Sequence, residues 1–395
     1  MYIQRNLSST LRRAMQQFPA VLVTGPRQAG KTTLLQHETG GDLAYVTFDD
    51  PVERSFAVED PAGFLDRFAG QPVILDEIQY VPGLLGSLKL RIDKERRHNG
   101  RWLLTGSQQF HVMRDISESL AGRIAILDQL PFSVGELSAK KSPPLEQVLW
   151  NGCYPEPALY PAKRDLWLRA YVQTYLERDV RQLQQVRDLR AFEQFVALAC
   201  ARHAQGFNGS EFAREVGIAV PTARAWAGLL EASYLLYLLP PFFNNLGKRI
   251  TKSPKLYVLD PAIVCFLTRQ PDAGAALAGA MGGALFEGLV VIEALKAFTN
   301  KGRKPALWYW RSHDGLEVDL IIQGKGTLIP IEIKLTATPQ AQHTESLRRF
   351  RALAGEGRCS AGALVCRVPK EQPLPHGVTA LPWQQFPGWL GQQVE

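Results

Sequence analysis

Gly25, Pro26, Arg27, Gln28, Ala29, Gly30, Lys31 and Thr32 spell G-x-x-x-x-G-K-[ST], residue types whose spacing suits the holding of a phosphate chain. Glycines let the backbone approach an anion, Lys31 reaches the β and γ phosphates, and the hydroxyl of Thr32 suits Mg²⁺. Thr33 follows in the same turn. Val73-Ile74-Leu75-Asp76-Glu77 is an apolar run ending on two carboxylates. Asp76 is placed to share Mg²⁺ with Thr32, and Glu77 to polarise an attacking water. The second acid points to hydrolysis rather than binding alone. After the apolar run Trp102-Leu103-Leu104, Ser107 or Gln108 either senses the γ phosphate or simply makes a turn. Arg123 is either a transition-state arginine, acting in cis or from a neighbouring subunit of a homo-oligomer, or a surface arginine. Arg27 touches phosphate or serves the loop.

Such groups work only if the backbone aims them. Ala20-Val21-Leu22-Val23-Thr24 is short, apolar and β-branched, the pattern of a buried strand. Lys31-Thr32-Thr33-Leu34-Leu35 opens a helix. A strand, a glycine loop and a helix N-terminus converge N–H groups and a positive dipole end on one point. The expectation is a nucleoside triphosphate, ATP, bound with Mg²⁺.

These runs, with Phe48-Asp49-Asp50-Pro51, Ile78-Gln79 and Leu120-Ala121-Gly122-Arg123, resemble one family: bacterial and archaeal ATPases of the AAA+ superfamily with a C-terminal domain of unknown function. Gly152-Cys153-Tyr154-Pro155-Glu156, Tyr175-Leu176-Glu177-Arg178-Asp179, Lys252-Ser253-Pro254-Lys255-Leu256-Tyr257 and Gly315-Leu316-Glu317-Val318-Asp319 extend the resemblance over nearly the whole chain. It implies an α/β protein: a P-loop αβα ATPase core, a helical middle, and a C-terminal α/β domain of restriction-endonuclease-like fold. The expected segments are 1–135, 136–265 and 266–395.

In the middle, apolar residues between Trp167 and Leu198 recur at helical spacing. Asn208-Gly209-Ser210-Glu211 reads as a turn into a short helix closed by Gly217, and Pro221-Thr222 opens a second helix through Leu230. That is a helix-turn-helix pattern, with Thr222, Arg224 and Trp226 expected on the exposed face of the second helix. Residues 244–255 follow, carrying Lys248, Arg249, Lys252 and Lys255 and no acid. They read as the basic wing of a winged helix lying on DNA phosphates, or as a solvated loop beside helices used only for packing.

Near the C-terminus, Leu307–Arg311, Glu317–Ile322 and Leu328–Leu335 read as strands. In Ile331-Glu332-Ile333-Lys334 the acid and the amine share one face. Asp319 and Glu332 suit a hard cation, and Lys334 suits orienting or deprotonating water. With Glu287 on a preceding helix, the set resembles the PD-(D/E)xK nuclease signature. The same residues also suit an ion-pair cluster, or a nuclease fold kept for DNA binding or assembly.

Composition narrows the rest. The 395-residue chain is 46% hydrophobic, enough for a sizeable core, with formal net charge +7. Residues 1–130 carry 15 basic and 15 acidic side chains, 131–260 carry 16 and 12, and 261–395 carry 14 and 11, so the surplus lies outside the nucleotide-binding part. Five cysteines without C-x-x-C spacing argue against a zinc site or a disulfide framework and fit a reducing cytoplasm. Met1-Tyr2-Ile3-Gln4-Arg5 lacks the apolar region of a signal peptide. Ala273–Leu295, interrupted by Glu287 and Glu293, suits a buried helix better than a membrane span. The leading expectation is ATP hydrolysis coupled to DNA binding or processing, with cleavage open. The alternatives are an ATP-dependent switch that binds protein partners and keeps an inert nuclease fold, and a sequence-specific transcription factor gated by ATP.

Overall fold

The computed structural model describes residues 2–41, 43–95, 98–106, 120–138, 142–174, 188–243 and 253–394. Ser107, Gln108, Lys248, Arg249, Lys252 and the run Tyr175–Asp179 lie outside the described residues. Contacts divide the chain into two compact units: Met1–Pro131 with Ala232–Tyr234 and Thr299–Lys304, and Phe132–Glu231 with Leu235–Phe298 and Pro305–Glu395.

The first unit is built on a parallel sheet. Strands β1 (Ala20–Thr24), β2 (Ala44–Thr47), β3 (Val73–Asp76), β4 (Trp102–Gly106) and β5 (Ile124–Asp128) lie in the order β2-β3-β4-β1-β5. Helices α1 (Ser8–Gln17), α2 (Lys31–Glu38), α3 (Pro51–Glu59), α4 (Pro61–Asp66) and α5 (Leu84–Lys94) intervene. Side-chain alternation explains why β1 is apolar throughout. Ala20 and Leu22 join Phe48, Phe64, Leu75 and Leu104 in one core, while Val21 and Val23 join Leu7, Leu11, Leu34 and Leu103 in another. A sheet buried on both faces leaves its polar groups at strand ends. The carboxyl ends of β1, β3 and β4 carry Thr24, Asp76 and Thr105.

The second unit begins with helices α6 (Val134–Leu137), α7 (Leu145–Asn151), α8 (Pro155–Leu159), α9 (Arg164–Thr174) and α10 (Leu189–Ala201). Next come β6 (Gln205–Gly206), α11 (Gly209–Val216), α12 (Val220–Ala232), β7 (Leu236–Leu239) and β8 (Lys255–Val258). The three strands form an antiparallel sheet in the order β6-β8-β7. Asn208 caps α11 by accepting from Ser210 N at 3.0 Å, and Gly217 closes it in the left-handed region at φ 78°.

Helices α13 (Pro261–Leu267), α14 (Ala273–Ala278) and α15 (Gly282–Thr299) lead into a six-stranded mixed sheet. Its strands are β9 (Leu307–Arg311), β10 (Glu317–Gly324), β11 (Thr327–Ile333), β12 (Ala363–Cys366), β13 (Gln372–Pro373) and β14 (Thr379–Pro382), in the order β13-β14-β12-β11-β10-β9. Between β11 and β12 runs α16 (Glu345–Ala354), and α17 (Phe386–Gln393) closes the chain. The apolar stretch 273–295 is divided between α14 and α15. Glu293 on α15 is buried, accepting from Val134 N at 2.9 Å and from Lys296 Nζ at 2.9 Å. Among the described residues, no helix is long and apolar enough to cross a membrane. All five cysteines are free and buried.

Candidate active site

The loop after β1 has a shape that its glycines impose. Gly25 sits at φ 141°, and a Cβ there would lie 2.2 Å from the carbonyl oxygen of Gln129, so no other residue fits without moving backbone. Gly30, at φ 88°, is the N-cap of α2. Gln28 also takes a positive φ, 59°, in a region that residues with a Cβ enter at a cost of about 1 kcal/mol or more. The loop is held from behind by Arg5, a buried guanidinium that donates to Ala29 O at 2.9 Å and to Leu130 O at 2.6 Å. Pro26 and Ala29 are buried, Arg27 is half-buried, and Thr33 is exposed on the first turn of α2. Lys31 is buried and donates to Gly25 O at 3.2 Å and Pro26 O at 3.0 Å, so its ammonium lies across the loop's own carbonyls.

Thr32 and Asp76 are brought together as expected. The Thr32 hydroxyl donates to Asp76 Oδ1 at 2.7 Å. Two more hydroxyls converge on this carboxylate: Thr105 donates to Oδ1, and Tyr45 donates to Oδ2 at 2.9 Å. Burial and the Asp76 charge push the Tyr45 phenol up to about 12, so it remains a neutral donor across the physiological range. Thr105 also accepts from Glu77 N at 3.1 Å, tying the two acids to β4. Glu77 leaves the strand in the left-handed region at φ 59°, and Gln79 donates to its side chain. A hydroxyl and a carboxylate at the N-terminus of α2 are the hard oxygen donors that Mg²⁺ takes, so these residues fit that ion.

Arg5, Tyr45, Gln79 and Thr105 are absent from the sequence-based site. Thr105 had a signal of its own, a hydroxyl at the carboxyl end of an apolar strand. The others reach the site through sheet order and backbone turns. Arg123 is held on the first unit. It forms a bidentate pair with Asp93 on α5, at 2.7 Å and 3.0 Å.

The second carboxylate cluster lies in the second unit. Asp319 and Glu332 are adjacent, but Lys334 Nζ lies 2.6 Å from Glu332 Oε1 and 3.4 Å from Asp319 Oδ2. Asp319 also accepts from Ile333 N at 2.9 Å, and Glu332 accepts from Ser346 at 2.7 Å. Burial, then the Asp319 charge, pushes the Glu332 carboxyl up to about 7. Burial disfavours the Lys334 ammonium, but Asp319 and Glu332 outweigh it and its pKa is raised. Glu287 lies close enough to Asp319 that burial, then that charge, raises its carboxyl. It accepts from Lys255 Nζ at 2.6 Å and from the Tyr257 hydroxyl at 2.7 Å. Among the described residues, no group of three or more His, Cys, Asp or Glu side chains is gathered to hold a metal. Ammonium groups thus lie against these acids, an arrangement in keeping with the ion-pair alternative.

Lys255 is therefore corrected as well. It is not a loop cation facing phosphate but a buried strand residue whose ammonium is shared by Glu287 and Glu317, each at 2.6 Å. Trp226, expected on the exposed face of α12, is 2% exposed and packs edge-on against Phe192 and Phe195. Residues two apart on a helix point to different sides, so Arg224 and Trp226 cannot share a face. Arg224 is exposed.

Three family models match the chain: an AAA domain over residues 17–138, and domains of unknown function DUF8612 over 142–273 and DUF4143 over 282–386. Among solved structures, the Walker-type ATPase PABY2304 of Pyrococcus abyssi is 16% identical over 68% of this chain and 96% of its own, with TM-score 0.45. The RuvB Holliday junction branch migration motor of Thermotoga maritima is 15% identical over 60% of this chain and 90% of its own, with TM-score 0.32. The AAA match and the loop geometry establish a P-loop ATPase domain on a parallel sheet. Two curated relatives, the uncharacterized proteins Rv2008c of Mycobacterium tuberculosis and Mb2031c of Mycobacterium bovis, are each 31% identical over 386 residues, covering 95% of this chain and 85% of theirs. By that identity and coverage, the chain belongs to the family of these two mycobacterial proteins.

Proposed function

We propose that this ATPase couples hydrolysis to the engagement of duplex DNA by its second unit. Lys31 binds the β and γ phosphates, Thr32 and Asp76 hold Mg²⁺, and Glu77 positions the attacking water. When bound, the ion neutralises charge that develops on the phosphoryl oxygens. We keep 1–135, 136–265 and 266–395 as the working segments, which the spacing of the three family models supports.

One observation carries the DNA half of the reading: the order α10, β6, α11, α12, β7, β8, with an antiparallel sheet beside two helices joined at Gly217. That order supports a winged-helix reading, in which the second helix would enter the major groove. Exposed Arg224 on α12 belongs to that face, and Lys248, Arg249 and Lys252 fall in the 244–252 stretch between β7 and β8. The order α15, β9, β10, β11, α16, β12 supports an endonuclease-like fold in the last segment. Its ammonium-compensated acids favour gripping over cutting.

The test is the ATPase rate with and without single- and double-stranded DNA, beside a plasmid nicking assay in Mg²⁺ or Mn²⁺. Stimulation by duplex without nicking is the expected result. Turnover indifferent to DNA would support an ATP-dependent switch with protein partners instead. Nicking lost in both Glu332→Ala and Lys334→Ala would restore the cleavage reading.

A further inference from the structure

We propose that Tyr45 is a positioning residue of the ATPase, its hydroxyl fixing the plane of the Asp76 carboxylate for a divalent cation held with Thr32. The Asp side chain turns easily about its last bond, whose torsion is broad rather than staggered. Thr32 and Thr105 both donate to Oδ1, and two donors on one oxygen leave the other free to swing. The donor from Tyr45 at 2.9 Å catches Oδ2, so the carboxylate is held at both oxygens.

Sheet register makes the contact possible. In the parallel pairing of β2 with β3, Thr47 lies opposite Asp76 and Tyr45 is two residues earlier on the same face of β2. The Thr47 hydroxyl, close to the Tyr45 oxygen, accepts from Asp49 N at 3.3 Å. Tyr45 is 43% exposed, so its ring contributes little to the core, and only its hydroxyl is committed to the site. A neutral donor also suits the task. It orients the carboxylate without cancelling the charge a cation needs, as an ammonium would.

This role rests on the ATPase assignment and is tested apart from turnover. Mn²⁺ binding to the full chain with a non-hydrolysable ATP analogue is followed by electron paramagnetic resonance, and analogue affinity is measured again in EDTA. Tyr45→Phe is expected to weaken Mn²⁺ binding about tenfold, the scale seen when a partner of a metal ligand is removed. Its metal-free nucleotide affinity should stay within about twofold of wild type, the change expected where no phosphate contact is lost. Thr47→Val should shift Mn²⁺ binding in the same direction by a smaller factor, and it carries the test alone if Tyr45→Phe melts early. Unchanged Mn²⁺ affinity in both variants overturns the proposal. So does an equal loss of metal-free nucleotide affinity, which would make Tyr45 part of the nucleotide site. No Mn²⁺ binding by wild type would instead overturn the reading of Thr32 and Asp76.

Discussion

Asp76 and the pair Asp319–Glu332 are buried acids on strands, yet their surroundings differ. Asp76 accepts from the hydroxyls of Thr32, Thr105 and Tyr45, neutral donors that orient the carboxylate. Asp319 and Glu332 share the ammonium of Lys334, and Glu287 holds that of Lys255. A buried carboxylate needs charge compensation, and the second cluster supplies it from within the chain. The three hydroxyls at the first bring no positive charge of their own. Spacing of acids alone does not distinguish these cases; the identity of their donors does.

The largest effect should fall on the first site. Glu77→Gln is expected to lower kcat about a thousandfold, roughly 4 kcal/mol, while analogue affinity stays near wild type. Steady-state turnover beside equilibrium binding checks this, and undiminished turnover would remove Glu77 from the mechanism.

Next comes Lys334→Ala, which strands two buried acids and should cost about 3 kcal/mol of stability in a denaturant titration. In that variant Mg²⁺ or Mn²⁺ should recover part of the loss, because the seat of the ammonium has been vacated. Wild type treated with the same ions should gain nothing at this cluster. An equal gain in both would break the contrast between the two sites.

A smaller effect is a pH slope from Glu332, whose carboxyl is raised from 4.5 to about 7. Because the folded state binds this proton more tightly, the contribution to stability is complete below pH 4.5 and fades as pH rises through 7. Glu332→Gln keeps the neutral form, so the melting temperature of the variant relative to wild type should rise from pH 5 to pH 8. A flat difference would mean that Lys334 holds Glu332 ionised throughout. The smallest effect is at Arg224, where alanine should weaken duplex binding a few-fold and lower the salt slope by about 1.

What was legible in the sequence was local. Gly25–Thr32 and Asp76–Glu77 declare themselves because strand, loop and helix are contiguous and the chemistry lies within a few residues. Capping by Asn208 and Gly217 was legible for the same reason. Tyr45 could not be read, because its value depends on β2 lying beside β3 in register with Asp76. Lys255 was misplaced because a basic run beside turn-formers resembles a loop. Only the pairing of β8 with β7 and β6 shows that it is buried, 32 residues from Glu287 and 62 from Glu317. The nuclease-like spacing of Asp319, Glu332 and Lys334 was visible, but spacing cannot say whether the lysine activates water or occupies the cation's place.

The most direct test of the contrast is a count of Mn²⁺ ions bound per chain in the presence of a non-hydrolysable ATP analogue. The account predicts one ion, lost in Asp76→Ala and retained in Asp319→Ala. Two ions, one surviving Asp76→Ala and disappearing in Asp319→Ala, would contradict it.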